Sequence, residues 1–225
     1  GSTFKVVTFA EGLESGEIDE ENEIDCENGV MKIGRHTIND AHKLGIVSAR
    51  EAFIHSSNIG AVKIGDKIGE KRMYRRARRL GFGTVSGIDV PDEAKGILDS
   101  PRHWSKLTLP TMSFGHGVAV SPVQLAMCYA AVANGGKLLR PYIVQSVSGV
   151  NGNIHRTKPQ VIRQAIRKET AKRLESLLMG VVESGTGRNA AVPNIAIAGK
   201  TGTAQRVKED GRGYEEGRYI PSFVG

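Results

Sequence analysis

The chain has little that would hold a metal ion or span a bilayer. Its two cysteines, Cys26 and Cys128, lie far apart and fit no C-x-x-C or mixed cysteine and histidine ligand spacing. Cys128 falls inside an apolar helical run, LAMCYAAVA, and both residues read as ordinary thiols. The six histidines add no ligand pattern, so no metal is expected. No uninterrupted apolar run approaches the roughly 18 residues a membrane-crossing helix needs, and no secretory pattern opens the chain. An anchor or export signal is therefore expected outside this stretch. Aromatic residues make up 5%, with a single tryptophan, Trp104, so no stacking platform for bases accompanies the basic segments.

What is present is a globular composition: 225 residues, 39% hydrophobic and 24% charged, enough for one large domain or two small ones. The net charge of +7 is uneven. Residues 11–27 are acidic, whereas 71–79 and 156–173 are basic, so the charge is local and argues weakly for nucleic acid.

Along the chain, Phe4, Val7, Ala10 and Leu13 recur once per turn and Gly16 stops the pattern, which places Ser2 at the start of a buried helix. An irregular polar stretch is expected to about Gly45. Ser48 with Glu51 forms a capping box for the helix that ends near Ser56. Two helices, Asn58 to Gly69 and Glu70 to Leu80, follow; the second carries Met73, Ala77 and Leu80 on one face and basic residues elsewhere, read as a solvated face or, less favourably, an anion-binding one. Gly81 to Gly117 reads as loop with short elements. Ser121 and Pro122 start an apolar core helix, V-N-G-N marks a hairpin, and Ala171, Leu174, Leu177, Leu178, Val181 and Val182 line one stripe of a helix. A strand over 195–206, a polar turn and a second strand from Tyr219 close the sequence.

Three short motifs stand out in order: S-T-F-K at 2–5, S-S-N at 56–58 and K-T-G-T at 200–203. Each alone has an ordinary explanation, as a cap, a helix terminus or an exposed strand lysine. Ser2 and Lys5, three apart, share a helix face, so an amine can reach a hydroxyl. A serine needs a base to become nucleophilic, and a lysine serves only if burial and neighbouring positive charge favour its neutral form. Lys5 is the candidate base, Lys200 the neighbouring charge, Ser56 a proton relay and Asn58 a substrate amide. Gly202 is expected to keep the strand open to a close-lying substrate, with Thr201 and Thr203 offering hydroxyls to a carboxylate.

In this order the motifs form the three-part signature of penicillin-binding proteins and serine β-lactamases. GRHTINDAH, HSSNIGAVKIG, RRLGFG, TMSFGHGVAVSPVQLAMCYAAVANGGKLLRP, ESGTGRNAAVP and AGKTGTAQ extend the likeness over essentially the whole chain. The sequence resembles the transpeptidase domain of a class B penicillin-binding protein, most like the cell-division type. The resemblance implies an α+β fold, with helices packed on an antiparallel sheet and a helical subdomain. It implies D,D-transpeptidation of peptidoglycan stem peptides through a serine acyl-enzyme, with β-lactams as substrate mimics and no cofactor. Ser2 would be the nucleophile, Lys5 its base, Ser56 and Asn58 the second motif, Lys200, Thr201 and Gly202 the third, and the N–H groups of Ser2 and Thr203 the oxyanion hole. His55 and His116 adjoin motif residues and read as surface or loop histidines.

By the same likeness residues 1–225 are expected to be a partial transpeptidase domain, starting at the nucleophile motif and ending within the sheet, with weak stability on its own. The full protein is expected on the outer face of the cytoplasmic membrane, anchored by a segment outside this chain, with a glycan polymerase and other division proteins as partners and no nucleic acid. The competing readings are a serine β-lactamase or D,D-carboxypeptidase, which hands the acyl group to water, and a non-enzymatic anionic-surface or nucleic-acid module built on residues 71–79.

Overall fold

The computed structural model describes residues 1–207 and 214–225. Its centre is helix α1 (Lys5–Ser15), which continues from a 3-10 turn at Ser2–Phe4 and ends at Gly16 in the left-handed conformation. The sequence pattern marks one apolar stripe, but the helix is buried on almost every side: Val6, Thr8, Phe9 and Glu11 are enclosed along with Phe4, Val7, Ala10 and Leu13. A helix without a solvent face must be surrounded. Helices α3 (Asn58–Ile68), α4 (Glu70–Arg79), α5 (Thr108–Ser113) and α7 (Lys168–Glu183) pack on it. Phe9 meets Phe53 edge-on at 4.7 Å between ring centroids, where Phe53 belongs to α2 (Ala49–Ile54). Helix α6 (Pro122–Ala133) packs on α7. The capping box at Ser48 and Glu51 forms, and Ser121 forms another with Gln124.

The stretch expected to be irregular up to Gly45 instead contains four short strands: β1 (Glu23–Asp25), β2 (Val30–Ile33), β3 (His36–Asn39) and β4 (Ile46–Ser48). β1 pairs with β4 and β2 with β3. Each is three or four residues with a half-exposed face, too short for alternation to show. Further pairs join β5 (Lys137–Leu139) to β8 (Val161–Gln164) and β6 (Ser146–Ser148) to β7 (Ile154–Arg156), the latter being the V-N-G-N hairpin. β9 (Lys200–Val207) pairs with β10 (Tyr214–Val224). All five described pairs are antiparallel.

The expected start of β9 at residue 195 is corrected. Asn194 adopts a positive φ of 62° and Val192 bridges Ile195, so residues 192–195 form a tight turn and the strand begins at Lys200. Of the polar turn expected over 208–218, residues 208–213 lie outside the described residues and 214–218 are corrected to strand, because β10 begins at Tyr214 and not at Tyr219.

Part of the basic face of α4 is turned inward, while Lys71, Arg75 and Arg79 stay exposed. Arg76 is buried against Glu11 of α1 at 2.6 Å and also donates to the Ala165 carbonyl at 2.5 Å. Arg72 pairs with Glu17 at 2.8 Å, Arg78 donates to the Gly83 carbonyl at 2.6 Å, and Arg79 to the Gln164 carbonyl at 2.5 Å. These side chains fasten α4 to the core.

Candidate active site

The three motifs come from three separated segments and converge on one amine. Lys5 Nζ lies 3.1 Å from Ser2 Oγ, 2.5 Å from the Ser56 carbonyl oxygen, 3.1 Å from Ser56 Oγ and 2.8 Å from Asn58 Oδ1. Lys200 Nζ approaches Ser56 Oγ from the other side at 2.9 Å and also donates to the Thr201 carbonyl at 3.2 Å. Ser2, Lys5, Ser56, Asn58 and Lys200 therefore form one connected polar cluster.

Both lysines are fully buried. Burial, and next the positive charge of Lys200, hold Lys5 well below the ordinary lysine range, while the carboxylate of Asp40 pulls weakly the other way. Burial alone brings Lys200 down to about 7. A neutral amine has two N–H donors and one lone pair. With the N–H groups of Lys5 given to the Ser56 carbonyl and Asn58 Oδ1, the lone pair is left to accept the hydroxyl proton of Ser2.

Local backbone places each group. Tyr129 of α6 is buried and donates its hydroxyl to the Thr3 carbonyl at 2.9 Å, pinning the turn that carries Ser2. Gly115, at φ 90°, lies so close to this turn that a Cβ there would meet the Gly1 carbonyl at 2.1 Å. Ser56 ends α2 at a φ of 59°, with the Ser56 N–H bonded to the Phe53 carbonyl at 3.0 Å and the Ser57 N–H to the Ala52 carbonyl at 2.8 Å. This is the helix ending in which glycine is usual, and a serine there carries strain of about 1–2 kcal/mol. The strain aims both the carbonyl and the hydroxyl of Ser56 at Lys5.

Gly202 also lies close to the protein's own side chains. A Cβ at this position would lie 2.6 Å from Ser222 Oγ and 3.0 Å from Thr3 Cγ2. The missing side chain lets β9 lie against the turn carrying Ser2 and against β10. Thr201 bonds through Oγ1 to Thr186 Oγ1 at 2.6 Å, and Thr203 is exposed on the same strand.

Two contributors escaped the sequence reading. Asp40 accepts from the Asn58 N–H at 2.5 Å, the Ile59 N–H at 3.1 Å and Ser57 Oγ at 2.5 Å. Thr186, after α7, supports Thr201. Both lie in stretches that carry the family likeness, GRHTINDAH and ESGTGRNAAVP, but no local pattern ties either to a distant partner. His55 ends α2 half-buried, and His116 stacks on Phe114 at 5.0 Å, its pKa lowered to about 4 chiefly by burial. Among the described residues, no group of histidine, cysteine, aspartate and glutamate side chains is arranged to hold a metal, and no helix is long and apolar enough to cross a membrane.

The sequence model of the penicillin binding protein transpeptidase domain matches residues 1–225. The chain belongs to that family. It is 36% identical over 227 residues to a probable peptidoglycan D,D-transpeptidase, PbpC, of Pseudomonas aeruginosa, covering all of this chain and 38% of that protein. It is 34% identical over 231 residues to stage V sporulation protein D of Bacillus subtilis, covering 35% of it. The chain thus spans little more than a third of the length of these relatives. Among solved structures, penicillin-binding protein 3 of Mycobacterium tuberculosis complexed with aztreonam superposes with a TM-score of 0.91 at 28% identity, over 99% of this chain and 52% of that one. The transpeptidase domain of penicillin-binding protein 3 from Burkholderia pseudomallei gives 0.88 at 31% identity, over 100% and 65%. The α+β transpeptidase fold expected from the sequence is the fold the chain has.

Proposed function

We propose that this chain carries the acyl-transfer site of a peptidoglycan D,D-transpeptidase. The observation that carries the reading is the 3.1 Å approach of Ser2 Oγ to the buried Lys5 Nζ, whose cation is disfavoured by burial and by Lys200. In the first step the Ser2 hydroxyl proton passes to Lys5 while Oγ bonds to the carbonyl carbon of the penultimate D-alanine of a stem peptide. The backbone N–H groups of Ser2 and Thr203 receive the developing oxyanion. The C–N bond then breaks, and the leaving D-alanine nitrogen takes a proton delivered through Ser56 Oγ, which touches both lysines. In the second step an amine of another stem attacks the ester and gives a proton to Lys5, the acyl C–O bond to Ser2 breaks as the new amide forms, and Lys5 passes that proton to Ser2 Oγ.

Asn58 and Thr201 to Thr203 are assigned to substrate, with the substrate carboxylate on the hydroxyls of Thr201 and Thr203 beside the positive charge of Lys200. Transfer to an amine is preferred over transfer to water because Asp40, the carboxylate whose charge acts on Lys5, has its oxygens committed to three donors. The name of the Pseudomonas aeruginosa relative, a probable peptidoglycan D,D-transpeptidase, supports a site of action outside the cytoplasmic membrane. Partnership with a glycan polymerase and a division role rest on the resemblance alone.

Intact mass after incubation with benzylpenicillin, followed by peptide mapping, tests the reading. A single stable adduct on Ser2 is expected. A folded protein without the adduct contradicts it, and catalytic turnover of a chromogenic cephalosporin would favour the hydrolase.

A further inference from the structure

We propose that Asp40 is a positioning residue of this site: its carboxylate locks the Ser56–Asn58 turn onto the start of α3, and so fixes Ser56 and Asn58 on Lys5. The inference rests on the acyl-transfer reading above and adds a residue outside the three motifs.

Asp40 lies just past the end of β3. One of its oxygens accepts the N–H groups of Asn58 and Ile59 and the other accepts the Ser57 hydroxyl, at 2.5, 3.1 and 2.5 Å. The first N–H groups of a helix have no partner within it, and a carboxylate there is favoured by the helix dipole as well. Ser57 Oγ in turn accepts the Gly60 N–H at 2.8 Å. The preceding residue completes the clamp: the Asn39 carbonyl accepts Asn58 Nδ2 at 2.8 Å, which leaves Asn58 Oδ1 facing Lys5 Nζ at 2.8 Å. The orientation of the Asn58 amide is thus set by two neighbours.

The clamp bears on the strained residue. Ser56 is held from one side by the end of α2, through the bonds of the Ser56 and Ser57 N–H groups. From the other side Asp40 grips Ser57 and Asn58. A left-handed serine persists only where its surroundings over-determine it. Without Asp40 the turn is free to relax, and the Ser56 carbonyl and hydroxyl leave Lys5 together. The titratable groups facing Lys5 are Lys200 on β9, Asp40 and His116 after α5. Asp40 is the anion among them, and it favours the Lys5 cation. Its charge and its hydrogen bonds can be separated, because an asparagine can retain the acceptor for the two N–H groups without the charge.

The experiment compares the full-length wild-type protein with Asp40→Ala and Asp40→Asn. Competent sites are counted by titration with a fluorescent penicillin, and the acylation rate per competent site is measured from pH 6 to 9. Wild type labelled on Ser2 establishes the acyl-transfer reading on which the inference depends; absence of that label refutes that reading first. With wild type labelled, D40A is expected to lose about 100-fold or more in rate per site, the scale of a misplaced catalytic group. D40N is expected to lose less than about tenfold, with the acid limb of its profile moved to lower pH. The proposal is overturned if D40A lowers thermal stability but its folded fraction acylates at the wild-type rate. Should D40A fail to fold, a D40N profile identical to wild type in rate and in pH dependence overturns it equally.

Discussion

Lys5 and Lys200 point their nitrogens at one oxygen: Ser56 Oγ lies 3.1 Å from the first and 2.9 Å from the second. Two buried ammonium groups cannot share a hydroxyl at low cost, so the cluster favours a state with a proton missing, which is the state that activates a serine.

The first prediction follows from this proton deficit. Lys200 falls from 10.5 to about 7 on folding. Between those values the unfolded chain binds more protons than the folded one, so stability rises with pH, and the contribution is at its lowest below about 7. Lys5 is shifted the same way and adds to the slope where its own window overlaps. Chemical denaturation at pH 7, 8 and 9 is expected to show a rise of up to about 1.4 kcal/mol per pH unit from Lys200. Lys200→Met is expected to flatten it, and an unaltered slope in that variant would contradict the assignment.

Replacing Ser56 separates stability from activity. Ser56→Gly relieves a left-handed serine at φ 59° and is expected to gain about 1 kcal/mol. It also removes the hydroxyl between the lysines, so acylation by a penicillin is expected to slow by about 100-fold or more. Ser56→Ala keeps the backbone cost and loses the same rate. Melting curves and stopped-flow acylation on both variants check the pair; a destabilised glycine variant would refute the strain.

At Gly202 the expectation is steric. Gly202→Ala drives a methyl against Ser222 Oγ and Thr3 Cγ2 and is expected to cost about 1–3 kcal/mol. Adding Ser222→Ala removes the nearer obstacle and should recover part of the loss. If the double variant is no more stable than the single one, the clash lies elsewhere.

The two faces of α4 should respond differently. Arg76→Ala leaves Glu11 buried without its cation and is expected to cost about 3–5 kcal/mol, whereas the exposed Arg75→Ala should stay within about 0.5 kcal/mol. Urea titrations of the two variants decide; equal losses would mean that the inward turn of the helix is wrong.

What the sequence made legible was local. The spacing of Ser2 and Lys5, the Ser48 and Ser121 caps, the glycine break between α3 and α4, and the buried stripe of α7 all depend on neighbours a few residues apart, and all appear as read. The strands of the first forty-eight residues were hidden because three or four residues carry too little alternation. Asp40 and Thr186 were hidden for another reason: their partners Asn58 and Thr201 come from other segments, and one sequence holds no distances. Arg76 shows a signal that was available. Glu11 interrupts an otherwise apolar helix, and a carboxylate that must be buried asks for a cation somewhere in the chain.

The Tyr129 bond to Thr3 and the close seat of Gly202 on Thr3 join α6, β9 and the nucleophile turn, none of which is a neighbour of another in sequence. Covalent capture of a penicillin therefore requires that contacts spanning nearly the entire chain have already closed. Pulsed labelling with a fluorescent β-lactam during refolding would act as a clock for the last tertiary events, timing the completion of the whole fold through the appearance of a single ester.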